Sequence, residues 1–185
     1  MNNSNRSFSA NRRRHCSLIF WTLLVFLLGS LTYAETSMSE YQVKGLFLLN
    51  FAKYVDWPGD SPGPITIGIL GEDHFGDNLK KLVEGKSING HTIVIRHLSS
   101  IEDLDGCSIL FVSSSEDSRL DRILVKTGTL PILTVGENES FLDKGGVINF
   151  ALKEGTIHLE INLKAARQVK LQISSKLLSV ADVRE

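Results

Sequence analysis

Two short runs constrain this chain more than any other part of it: residues 108–112, Ser-Ile-Leu-Phe-Val, and residues 131–135, Pro-Ile-Leu-Thr-Val. Each is too short for a stable helix and nearly all apolar, the pattern of a strand covered on both faces. Between them, residues 119–125 carry apolar side chains at helical spacing, behind a Ser113-Ser-Ser-Glu116 stretch of the kind that opens a helix. Strand, helix and strand in that order make a parallel unit with a right-handed crossover. The chain is therefore expected in the α/β class, with helices on both faces of one sheet.

The neighbouring segments extend that sheet. Residues 65–70 alternate and read as a strand, residues 71–76 as a loop, and residues 75–83 as a short amphipathic helix with Leu79 and Leu82 on one side. Asp73 reads as the cap of that helix. Ile88 and residues 91–97 form the next strand, in which Ile93 and Ile95 face away from Thr92, Val94 and Arg96. Apolar residues on both faces predict cover on both. Residues 147–150 and 156–161 flank a Lys-Glu-Gly turn and predict an antiparallel hairpin. Asn162 then caps a short helix to about residue 168, and Val169, Leu171 and Ile173 alternate briefly. Ser174 or Ser175 caps a final helix with Leu177, Leu178 and Val180. The expected fold is a Rossmann-like mixed sheet, mostly parallel, finished by a C-terminal antiparallel hairpin.

Ahead of the sheet, Ser39-Glu40-Tyr41-Gln42 is a capping box, from which a helix runs to about Asp56 and stops at Trp57-Pro58. At about 100° per residue its apolar side chains cover roughly two thirds of the circumference, wider than one core contact requires. Either the helix is sandwiched within its own domain or one side meets a partner, with Phe51, Tyr54 and Trp57 as the candidate contacts. Residues 60–64, Asp-Ser-Pro-Gly-Pro, read as a turn.

Residues 1–34 stand apart from this pattern. Arg6, Arg12, Arg13 and Arg14 precede an apolar core at residues 18–28, and Thr32-Tyr33-Ala34 supplies the small-residue ending of a cleaved signal peptide. A spanning helix would need about 20 apolar residues, more than this run offers. One exported domain, residues 35–185, is expected to follow, and it is expected not to span a membrane. Loss of four of the 20 basic residues and none of the 21 acidic ones leaves that domain at −5. Such a balance, without a basic cluster, argues against nucleic acid as a partner. Cys16 leaves with the leader, so Cys107 would stand alone, without an internal disulfide partner, and reads as a small buried apolar residue.

Catalytic signals are weak. Ser113, Ser114 and Ser115 lie at the carboxyl end of a strand but lack a Gly-x-Ser-x-Gly frame, so a helix start explains them, and a small-anion loop is the functional alternative. The loop at residues 71–76 lacks the Lys-Ser/Thr pair of a phosphate loop. His74, His91, His97 and His158 show no metal-ligand spacing. No cofactor, metal or catalytic residue is expected.

Several segments together resemble one family. They are Glu40-Tyr-Gln-Val-Lys-Gly-Leu-Phe-Leu-Leu-Asn-Phe-Ala-Lys-Tyr-Val-Asp-Trp-Pro58, Ile67-Gly-Ile-Leu-Gly-Glu-Asp-His-Phe-Gly76, Cys107-Ser-Ile-Leu-Phe-Val112, Leu133-Thr-Val-Gly136, Phe141 with Gly145-Gly-Val-Ile-Asn-Phe150, and Leu159-Glu-Ile-Asn-Leu163 with Leu171-Gln-Ile-Ser-Ser-Lys-Leu-Leu178. In this order they resemble the YfiR-like periplasmic regulators (YfiR/HmsC-like). The resemblance implies a periplasmic, non-enzymatic protein that binds and represses a membrane-bound signalling enzyme, typically a diguanylate cyclase, through the periplasmic sensor domain of that inner-membrane protein. Lower cyclic di-GMP and less biofilm would follow. A homodimer is compatible with this reading. Some relatives carry a cysteine where this sequence has Gly68, able to pair with the one matching Cys107. The closing stretch is also similar to the ends of certain periplasmic substrate-binding proteins. The alternative is accordingly a periplasmic small-molecule-binding module serving a sensor kinase or transporter.

Overall fold

The computed structural model describes residues 38–59 and 63–185. The expected leader, residues 1–34, and most of the turn at residues 60–64 lie outside them. The chain from Met38 to Glu185 is one compact unit. Helix α1 (Glu40–Tyr54) opens with the expected capping box, the Ser39 hydroxyl accepting from the Gln42 N–H and the Gln42 side chain accepting from the Ser39 N–H. It ends at Tyr54, earlier than its apolar pattern suggests. Val55 and Asp56 leave the helix as β1 and pair antiparallel with β9 (Gln172–Ile173).

The main sheet contains β2 (Ile65–Leu70), β3 (Ser87–Ile88), β4 (His91–Leu98), β5 (Ile109–Val112), β6 (Leu133–Gly136), β7 (Ile148–Lys153), β8 (Thr156–Asn162) and β10 (Ala181–Arg184), in the order β10-β8-β7-β6-β5-β2-β4-β3. From β4 through β7 every pairing is parallel. The antiparallel hairpin of β7 and β8 follows, turned by Glu154 and Gly155, both at positive φ (51° and 76°), the geometry of a two-residue hairpin turn. β10 pairs parallel with β8.

All residues of β2, β5 and β6 are buried, as strands with helices on both faces require. One face packs Ile67, Ile69, Ile109, Phe111, Leu133, Val135, Ile148 and Phe150 beneath α1 and α2 (Asp77–Val83). Leu48 and Phe51 of α1 and Leu79 of α2 come down onto that layer. Also on this side lie α4 (Leu163–Gln168), capped by Asn162, and α5 (Ser175–Leu178), capped by Ser174. The opposite face packs Leu70, Leu110 and Val112 against α3 (Leu120–Thr127) and the Phe141–Leu142 corner.

One expectation fails at β4. The face bearing Thr92 and Val94 is open over the first part of the strand, with Val94 40% exposed, and only Leu98 at its end is buried against the core cluster on that side. Asp73 also caps differently: its carboxylate accepts from the Phe75 and Gly76 N–H groups, forming a turn ahead of α2, whose capping residue is Gly76.

Candidate functional site

In a doubly wound sheet, ligands collect at the carboxyl ends of the strands where the chain switches from one face to the other. Here that point lies between β2, which leads to α2 on one face, and β5, which leads to α3 on the other. β2 leaves through Gly71 at φ +93°, where a Cβ would stand 2.5 Å from Ser115 Oγ. The Glu72 N–H donates to that hydroxyl at 2.9 Å, closing the two loops on each other.

The centre of this place is occupied by the protein itself. Glu137, the residue after β6, has a nearly buried side chain whose Oε2 stands 2.6 Å from Lys44 Nζ on α1. The Tyr41 hydroxyl donates to the carboxylate at 3.0 Å and the Ser114 N–H at 3.0 Å. Lys44 is buried in the same way, also pairs with Glu40, and lies 4.4 Å from the Tyr41 ring centroid. Burial pushes the Glu137 carboxyl up, but the Lys44 ammonium, the Ser114 N–H and the Tyr41 hydroxyl outweigh it and hold the group below the ordinary carboxylate range. Burial, followed by the charge of Glu137, drives the Tyr41 phenol above its usual value.

The loop read from the sequence as a small-anion site is thereby corrected. Ser113 is buried and its hydroxyl accepts from the Ser115 N–H, the Ser114 N–H serves Glu137, and Ser115 Oγ serves Glu72. The loop does bind an anion, the carboxylate of its own chain. Tyr41, Lys44 and Glu137 were missed because their link spans more than ninety residues. A lysine on the buried side of an otherwise apolar helix was the one available signal.

The candidate partner residues divide. Phe51 has no exposed surface and stacks on Phe150 at 5.9 Å between ring centroids, so it belongs to the core and is withdrawn as a contact. Tyr54 and Trp57 are half-buried, and Trp57 Nε1 donates to the Ser108 carbonyl at 3.1 Å. Exposed apolar surface lies instead at the other end of α1, where Met38, Val43 and Phe47 face Leu152 and Ile157 of the hairpin across a groove of about 460 Å³.

Cys107 is buried, its thiol donating to the Ile109 carbonyl at 3.0 Å and pushed up to about 11 by desolvation. A Cβ at Gly68 would stand 2.8 Å from its sulfur and 2.9 Å from Leu98 Cδ1. The position at which relatives are expected to carry a second cysteine is thus beside it. Among the described residues, no three His, Cys, Asp or Glu side chains are grouped to hold a metal ion, and no helix is long and apolar enough to cross a membrane.

These features define a class: a doubly wound α/β domain whose usual ligand position is closed by an internal ion pair. The YfiR/HmsC-like family model matches residues 41–182, and the chain belongs to that family, known as periplasmic regulators of cyclic di-GMP. No curated protein matches the chain in sequence. Two solved structures share the fold. A conserved domain protein from Vibrio cholerae is 14% identical with a TM-score of 0.51, covering 80% of this chain and 61% of its own. The ABC domain from Streptococcus pneumonia, in complex with L-Trp, is 13% identical with a TM-score of 0.53, covering 78% and 60%. The chain thus spans about three fifths of the length of these structures.

Proposed function

We propose that this protein is exported, binds the periplasmic sensor domain of an inner-membrane signalling enzyme, a diguanylate cyclase, and holds that enzyme in its inactive state. Cyclic di-GMP and biofilm formation fall as a result. Family membership over residues 41–182 carries the reading. The filled position at the strand ends supports it, since a domain that closes its own ligand pocket acts through its surface. The contact runs along α1, from the apolar groove beside Met38 and Phe47 to Tyr54 and Trp57. Repression requires tighter binding to the inactive state than to the active one, because equal affinity for both shifts nothing. A small-molecule-binding role is less favoured, because Glu137 and Lys44 occupy the place where such a ligand would sit.

Co-purification of the exported domain with the sensor domain of a cyclase encoded beside it tests the reading. A complex at micromolar concentration is expected, weakened roughly tenfold by Phe47→Ala or Trp57→Ala. No complex with any such sensor domain would sink it.

A further inference from the structure

Strand β4 is eight residues long, but its outer neighbour β3 pairs with only two of them, Ser87 with Thr92 and Ile88 with His91. From Ile93 to Leu98 no strand among the described residues lies on that side. The backbone N–H and C=O groups of a strand point to its two sides in turn, so half of those in this stretch face outward and can pair with another chain. Neither lysine nor proline blunts the stretch, which reads Ile-Val-Ile-Arg-His-Leu, and Arg96 is engaged elsewhere, donating to the carbonyls of Asp103 and Asp105. Between β4 and α2 lies a cleft of about 730 Å³ floored by Leu79, Val83, Ile93 and Ile95. Its two ends differ. Where β4 finishes, the cleft carries Asp73 and Asp77, and Asp73 lies 3.6 Å from His97. Toward the start of β4, the register of β3 brings Lys86 into line with Ile93 and closes the cleft, with Lys80 and Glu84 of the α2 side also on its wall.

We propose that the groove between β4 and α2 binds the carboxyl-terminal end of another protein's chain, added in extended form as an antiparallel strand along residues 94–98. An extended backbone satisfies the row of outward N–H and C=O groups. Its side chains alternate between the two faces, so apolar residues at every second position enter the cleft above Leu79, Val83, Ile93 and Ile95. Charge sets the direction. An antiparallel strand places its amino side beside Asp73 and Asp77 and its carboxyl end beside Lys86, whereas a parallel strand would reverse both contacts. Closure of the groove at Lys86 selects a chain that ends there over one that runs through, and a terminal carboxylate supplies the anion that the Lys86 ammonium can pair with. This site is separate from the α1 contact proposed above and does not rest on it.

Fluorescence anisotropy on the protein produced from its full chain tests this, with the peptide Lys-Thr-Val-Thr-Val-Thr-Val carrying fluorescein at its amino end. The free acid is expected to bind in the micromolar range, and its carboxyl-terminal amide roughly tenfold more weakly. Proline in place of the middle valine, which removes a backbone donor from the strand, abolishes binding. Lys86→Gln weakens the free acid to the level of the amide and leaves the amide unchanged, a difference that loss of folding would not give. Ile95→Lys, which puts an ammonium group in the apolar floor, weakens both at least roughly tenfold. Thermal melts by circular dichroism establish that each variant is folded. No binding of the free acid at high micromolar protein, equal binding of acid and amide, or binding indifferent to Ile95→Lys overturns the proposal. So does a second copy on this edge, seen in sedimentation velocity as a dimer that Ile95→Lys dissociates. The sensor-domain complex and its weakening by Phe47→Ala are measured apart from the peptide, so the two ideas fail separately.

Discussion

At the scale of single residues, Glu137 ties three parts of the molecule together, because it stands at the end of β6 and accepts from two side chains of the first helix and from the loop after β5. Removing its charge leaves Lys44 buried with only the half-exposed Glu40 as partner. Breaking a buried pair from one side is costly, so Glu137→Gln is expected to lose about 3 kcal/mol in urea unfolding at pH 7. The folded carboxyl is held below its unfolded value, near 4.3, so its stabilisation is complete above that value and disappears as pH falls through the folded one. The gap between wild type and Glu137→Gln should therefore narrow below about pH 4. A gap that is constant with pH would remove the ion pair from the account. Cys107 is the quiet counterpart. With its thiol pushed up to about 11, almost no thiolate exists at neutral pH, and a disulfide-exchange reagent should label it slowly in the native protein and rapidly in denaturant. Burial of that cysteine was legible from its place before an apolar strand. The buried Lys44–Glu137 pair was not, since neither residue carries a local pattern.

Elements were more legible than their ends. The central strands announced themselves by continuous apolar runs, and the caps at Ser39, Asn162 and Ser174 were readable because each needs only a short polar side chain two or three positions ahead of the N–H it accepts from. The end of α1 was hidden because Val55 continues the apolar pattern of the helix, although its β-branch favours a strand and it pairs with Ile173. β10 was hidden because Ala-Asp-Val-Arg is short, half polar and mostly exposed, as an edge strand can be. The corner after β6 shows what local patterns omit. The Phe141 ring is clasped between Gly136 and Gly146, where an added Cβ would come within 2.2 Å of it on either side. Gly136→Ala should cost roughly 3 kcal/mol in thermal or urea unfolding, and Phe141→Leu in the same chain should recover part of the loss. A neutral Gly136→Ala would show that this corner moves freely.

For the whole molecule, the α/β class and the parallel core followed from residues 65–135, whereas the outer order of the sheet did not. Both edges are set by pairings between segments of weak pattern, β3 at one side and β10 at the other. The second small sheet is the larger surprise, because β1 follows the first helix and its partner β9 stands near the end of the chain. Leu171 and Leu177 also complete the layer beneath α1. A chain ending at Lys170 should therefore fail to fold, giving no cooperative transition by circular dichroism and rapid cleavage by chymotrypsin. A truncated chain that melts cooperatively would refute this. The pairing of Val55 with Ile173 also bears on timing. The earliest part of the domain to be synthesised waits for almost the last before it can settle. A polypeptide still lacking residues 172–173 cannot close this clasp and is expected to stay loose until translation is nearly over, and a loose polypeptide is the form that can be threaded end-first through a narrow pore.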